Sequence, residues 1–213
     1  MTLLGALDFA SVAVFALTGA LVASRSQLDI VGFIFVACLT AVGGGTIRDV
    51  LLNRDAVFWI TDPTILLAAL AAAVVVFFGA HRLESRYRAI VWLDAFALAV
   101  AVPAGVGVAV GLGHHWAVVM VMGVATGCFG GLMRDVVCNE VPLVLKQGEI
   151  YASAAFAGAG VAVGVVVFGY SAGYALLACA AVTFGLRAGS ILFGWGLPVY
   201  RTKPPRPENP KQS

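Results

Sequence analysis

Seven apolar runs of about 20 residues follow one another along the chain, with short polar connections between them. They predict membrane-spanning helices near Leu3–Ser24, Ile30–Leu52, Thr64–Ala80, Ile90–Leu112, Trp116–Val137, Tyr151–Phe168 and Ala172–Phe193. Buried strands are excluded by the length of the runs and their wealth of Ala, Leu and Gly. The strands of a membrane barrel would alternate polar and apolar residues, which these runs do not.

The polar positions inside the runs are not scattered. Gly44-Gly45-Thr46-Ile47-Arg48-Asp49-Val50-Leu51-Leu52-Asn53 in the second run has a counterpart in the fifth, Gly130-Gly131-Leu132-Met133-Arg134-Asp135-Val136-Val137-Cys138-Asn139. Each places an Arg-Asp pair in hydrocarbon, where charge is expensive. The offset between Arg48 and Arg134 is 86 residues, and the same shift maps Asp8 onto Asp94, Gly19 onto Gly105, Thr40 onto Thr126 and Asn53 onto Asn139. The register holds without a gap from Leu7/Leu93 to Asn53/Asn139. The chain therefore reads as a duplicated three-span unit followed by a seventh span. An odd number of spans per unit sends the second copy into the membrane from the opposite side, so the repeats are expected to be inverted, an architecture that recurs in transport proteins. The expected fold class is an all-α integral membrane protein with spans two and five broken at glycines. Its expected division is residues 1–88 and 89–170 for the two units, 171–195 for the seventh span and 196–213 for a disordered, basic, proline-rich tail.

Composition agrees with this pattern. Of the 213 residues, 61% are hydrophobic and 11% charged, with a mean hydropathy of +0.98, whereas a soluble domain is nearer half apolar and a quarter charged. The net charge of +2 argues against a nucleic-acid partner. The first residues lack a basic region and include Asp8, so a cleaved signal peptide is not expected. Cys38, Cys128, Cys138 and Cys179 have no metal-like spacing and read as small packing residues.

Charge also orients the chain. Arg25, Arg82, Arg86, Arg88, Arg134, Lys146, Arg201, Lys203, Arg206 and Lys211 fall on one side of the seven spans, against Arg48 and Arg54 on the other. The positive-inside rule makes the richer side cytoplasmic, with the N-terminus outside and the C-terminus in the cytoplasm of a multi-pass cell (inner) membrane protein. His81, Arg82, Arg86 and Arg88 form a basic cytoplasmic loop suited to anionic lipid.

Two readings of the glycines stand side by side. Gly43, Gly44 and Gly45, with Gly130 and Gly131, either open their helices along an aqueous path or let helices pack closely. Arg48, Asp49, Arg134 and Asp135, with Thr40, Thr126, Asn53 and Asn139, either line that path or form an ionic lock. Adjacent helical residues point about 100° apart, so cross-pairing across the repeats is expected, Arg48 with Asp135 and Arg134 with Asp49. Asp49 and Asp135 would also suit a helix N-terminus just after the glycine break. Asp8, Ser11, Thr18 and Arg25 share one face of span one with Phe15, a polar stripe fit to line a pore with Phe15 as constriction. The ordinary alternative is that Ser11 and Thr18 bond back to their own helix. The matching face of span four, Asp94, Ala97, Ala101, Ala104 and Val108, is small rather than polar. Asp8 and Asp94, near opposite ends of their spans, would attract cations at the two mouths or cap their helices. His114-His115 lacks a third metal ligand. No nucleophile–base pair, phosphate-binding loop or catalytic carboxylate pair appears, so an enzyme is not expected, nor is a metal or cofactor.

Two GG-x-x-RDV segments in inverted three-span repeats, plus a seventh span, resemble the prokaryotic relatives of the trimeric intracellular cation (TRIC) channels, formerly an uncharacterised membrane family. The likeness covers everything but the tail. It implies a homotrimer with a pore in each subunit passing monovalent cations, chiefly potassium, and lined by spans two and five with one and four. It implies the same orientation as the charge count. On this likeness the pore kinks fall at Gly43, Gly44, Gly45, Gly130 and Gly131. The alternative is a secondary transporter of a small solute such as an amino acid, which inverted repeats also serve, and an older label for such domains suggests glycine transport.

Overall fold

The computed structural model describes residues 2–82 and 86–198. The helices are α1 (Leu3–Arg25), α2 (Ile30–Leu51), α3 (Phe58–Thr61), α4 (Thr64–Gly79), α5 (Arg86–Gly111), α6 (Trp116–Val137), α7 (Ala152–Val167) and α8 (Ala172–Phe193), with single 3₁₀ turns at Ala80–Arg82 and Leu143–Leu145. Among the described residues, six helices are long and apolar enough to cross a membrane; α7 is a shorter apolar helix of 16 residues. At 1.5 Å per residue α7 reaches about 24 Å, less than the hydrocarbon thickness.

The helix ends follow from local chemistry. Thr2 and Asp29 accept the N–H groups of Gly5 and Gly32 through their side chains and so cap α1 and α2. At the other ends the chain turns through a left-handed residue. Asn53 (φ 49°) and Asn139 (φ 53°) stand there after α2 and α6, each followed by a bond from the next N–H back to the motif aspartate's carbonyl, Arg54 to Asp49 and Glu140 to Asp135. The two asparagines are thus helix terminators, chosen because Asn tolerates this conformation.

α1 packs against α2, α4 and α5, and α5 in turn against α6, α7 and α8, while α2 meets α6 across the centre. One apolar core gathers α1, α2 and α4, and a second gathers α5, α6, α7 and α8. Phe15 links the halves by packing on Ala97 and Ala101. Its ring fills the room that the small face of α5 leaves.

The glycines do not break their helices. α2 is helical throughout Ile30–Leu51 and α6 throughout Trp116–Val137. What the glycines supply is approach. A Cβ at Gly44 would collide with the Thr126 carbonyl oxygen, and one at Gly130 with the Thr40 carbonyl oxygen. Gly19 lies against the same Thr40, where an added Cβ would sit 2.6 Å from the hydroxyl, and Gly105 holds the matching place against Thr126. Each threonine is therefore clasped between a glycine of its own half and a glycine of the other. The close packing of backbones without side chains replaces the expected opening.

The tail also departs from expectation at its start. Gly196 forms an antiparallel bridge to Glu149, so order continues beyond Trp195. The remainder of the expected tail, 199–213, and residues 83–85 of the basic loop lie outside the described residues.

Candidate functional site: two buried arginine–carboxylate clusters

The motif residues assemble into two clusters of the same design, one in each half. Arg48, fully buried near the end of α2, directs Nη1 to Asp8 Oδ1 (2.7 Å) on α1 and Nε to Asp49 Oδ1 (2.8 Å). Arg134, equally buried on α6, directs Nη1 to Asp94 Oδ1 (2.8 Å) on α5 and Nε to Asp135 Oδ1 (2.7 Å). The expected cross-pairing does not occur. The long guanidinium arm folds back far enough for Nε to reach the adjacent carboxylate, and Nη1 spans to the neighbouring helix of the same half. Planar, forked donors make this two-sided contact possible where a lysine would offer one point charge.

The second oxygen of each motif aspartate is committed too. Asp49 Oδ2 accepts the Phe58 N–H (2.9 Å) and Asp135 Oδ2 the Leu143 N–H (2.9 Å). These carboxylates do serve helical N-termini. The termini belong to the short turns that follow, because no helix begins at the glycines. Asp8 and Asp94 likewise do not stand free at the mouths: each is an arginine partner, and Asp94 is completely buried.

The hydroxyls of the polar stripe bond to their own helices. Ser11 donates to the Asp8 carbonyl and Thr18 to that of Phe15, both at 2.8 Å, while Thr40 and Thr126 donate to Val36 and Met122 at 2.6 Å. His115 accepts the Ala117 N–H and caps α6, and no group of three potential metal ligands exists among the described residues. The four cysteines are free thiols.

The clusters differ in their surroundings. The first opens to a cavity. Arg54, partly exposed, adds a third contact to Asp49 (3.1 Å), and a cavity of about 410 Å³ lined by Thr2, Gly5, Asp8, Arg54, Phe58 and Asp62 reaches the cluster. The second is enclosed. The buried Tyr151 hydroxyl borders the same gap at Gly131 as Asp94 Oδ1 and Arg134 Nη2, and the buried Arg187 sits 4.9 Å from the Tyr151 ring. Arg187 in turn bonds Glu149 and the Ile150 carbonyl, both at 3.2 Å. Sequence reasoning missed Tyr151, Glu149 and Phe58, which carry no local signal. Arg187 did carry one, being an ionisable residue inside a span.

Fold and site together define an all-helical membrane protein whose buried arginines, among the described residues, are Arg48 and Arg134 at the centres of the two clusters and Arg187 behind the second. Comparison with known proteins sharpens this. The family model described as Glycine transporter matches residues 5–81 and 91–166. A UPF0126 membrane protein of Vibrio cholerae is 36% identical over 204 residues, covering 93% of this chain and 83% of its own. A UPF0126 inner membrane protein of Escherichia coli is 40% identical over 154 residues, covering 71% and 73%. Among solved structures, a TRIC trimeric intracellular cation channel orthologue from Rhodobacter sphaeroides superposes with a TM-score of 0.87 at 43% identity, covering 91% of this chain and all of the other. A prokaryotic TRIC channel in 0.5 M KCl gives 0.84 at 27% identity, covering 90% and 96%. The chain belongs to this family of UPF0126 membrane proteins and prokaryotic TRIC channels.

Proposed function

We propose that the protein is a passive channel for monovalent cations, potassium foremost, with a permeation path inside each subunit where the two halves meet. The observation that carries this reading is the paired cluster itself. Arg48 and Arg134 each face two carboxylates, so neither cluster sets an uncompensated positive charge beside the path. Arg48 Nη2 is buried without a protein partner in the cluster that opens to the cavity, where water entering from that cavity would satisfy it. Likeness to TRIC cation channels supports the reading.

The rest follows the same line. The two units, 1–88 and 89–170, are inverted, since three spans carry the chain to the opposite face. The working form is a homotrimer, as the relatives described as trimeric suggest. It lies in the cell membrane with its N-terminus outside and its C-terminus in the cytoplasm, in contact with lipid and with no nucleic-acid partner. The family description Glycine transporter favours a second reading, coupled uptake of a small solute such as an amino acid. Purified protein in a planar bilayer decides between them. A channel gives unitary currents that reverse near the potassium potential under a KCl gradient; saturable proton- or sodium-coupled uptake without unitary currents assigns the protein to transport instead.

A further inference from the structure

The second cluster is backed by parts that the first lacks. Tyr151 and Glu149 lie beyond Asn139, where the 86-residue register ends, and α8 follows both units without a counterpart in either. What α8 contributes is a fold-back. Its C-terminus turns at Gly194 (φ 68°), and the chain then lies across the end of the helix. Leu197 N–H donates to the Gly148 carbonyl (3.1 Å), Gly196 bridges Glu149, and the Trp195 ring rests on Gly189, where any Cβ would displace it. Ser190 joins the two sides: its hydroxyl donates to the Trp195 carbonyl (2.8 Å) and accepts the Ile150 N–H (3.4 Å).

This places a short strap, 194–197, over the connection that leads from α6 into α7. From there contact is continuous inward. Arg187 holds Glu149 and Ile150 and stacks on Tyr151, whose hydroxyl shares the Gly131 gap with Arg134 and Asp94. We propose that the strap is a positioning device for the second cluster: it clamps residues 148–151 onto α8 and so fixes Tyr151 against Arg134 and Asp94. Opening on this side of the protein depends on the clamp. The opposite cluster, which opens to a cavity and has no strap, is insensitive to it. The dependence of opening rests on the channel reading above; the clamp itself does not.

Hydrogen exchange and bilayer recording on the full chain test the two parts separately. Trp195→Ala and Ser190→Ala touch neither cluster, and Trp195 is half exposed, so both variants are expected to fold. The Leu143 amide, which donates to Asp135, reports on the second cluster, and the Phe58 amide, which donates to Asp49, on the first. Both variants should speed exchange at 148–151 and at Leu143 by about tenfold or more and leave Phe58 at the wild-type rate, with Trp195→Phe restoring protection. They should also change open probability several-fold. Loosening confined to 194–197, or equal loosening at Phe58, overturns the proposal. Loosening at Leu143 with wild-type open probability overturns the dependence of opening. If even the wild-type protein passes no current, the channel reading fails, and exchange at Leu143 alone decides the clamp.

Discussion

Arg48 and Arg134 are charges that the fold surrounds completely, and each has partners on two helices. Removing one member of such a group leaves its carboxylates buried and uncompensated. Arg48→Met or Arg134→Met is therefore expected to cost about 3–5 kcal/mol, against at most about 1 kcal/mol for Arg54→Ala, whose side chain is partly exposed. Thermal unfolding in detergent measures both. Double-mutant cycles separate the pairings: Arg48 should couple strongly to Asp8 and near zero to Asp135. Coupling to Asp135 comparable to that with Asp8 would restore the cross-paired arrangement. The motif showed that these residues belong together; which carboxylate meets which guanidinium depended on side-chain reach, which spacing along the helix does not convey.

At the scale of helices, the α2–α6 crossing is set by where backbones touch. Gly44→Ala and Gly130→Ala each drive a methyl into a carbonyl oxygen of the other helix, whereas Gly79 and Gly164 have nothing within 4 Å of the added carbon. Overpacking at the crossing should destabilise by about 1–3 kcal/mol, while Gly79→Ala and Gly164→Ala stay near neutral, a comparison that unfolding midpoints in detergent can make. Helices truly opened at these glycines would instead tolerate alanine at Gly44. The helix boundaries were legible within a residue or two for most spans, because hydrophobic length is a local feature. The unbroken helices were not legible, since a run of glycines satisfies both a kink and a close contact, and only the partner helix distinguishes them.

For the molecule as a whole, the two halves share a plan and differ in access. Asp8 is 14% exposed in its side chain and borders the open cavity, whereas Asp94 is sealed. Asp8→Asn leaves the Arg48 charge less compensated at the base of that cavity. On the channel function proposed above, unitary potassium conductance should fall, by up to about tenfold at low ionic strength and less at high, because an exposed field is screened by salt. An unchanged conductance at low salt would remove Asp8 from the permeation path. Asp94→Asn acts inside a sealed core, so its expected effect is on stability.

The sequence by itself determined the all-helical membrane class, six of the seven expected spans and the 86-residue offset between the two motif copies, since each is written in hydrophobic length or in periodic position. Only the tertiary structure decided that the glycines close a helix crossing, that each arginine stays within its own half, and that the strap after α8 backs one cluster alone. These depend on contacts between residues as far apart as Asp8 and Arg48, or Gly148 and Leu197, whose geometry no local pattern encodes. The repeated Gly-Gly-x-x-Arg-Asp stretch is thus a packing surface followed by an ion cluster, made twice and enclosed differently each time.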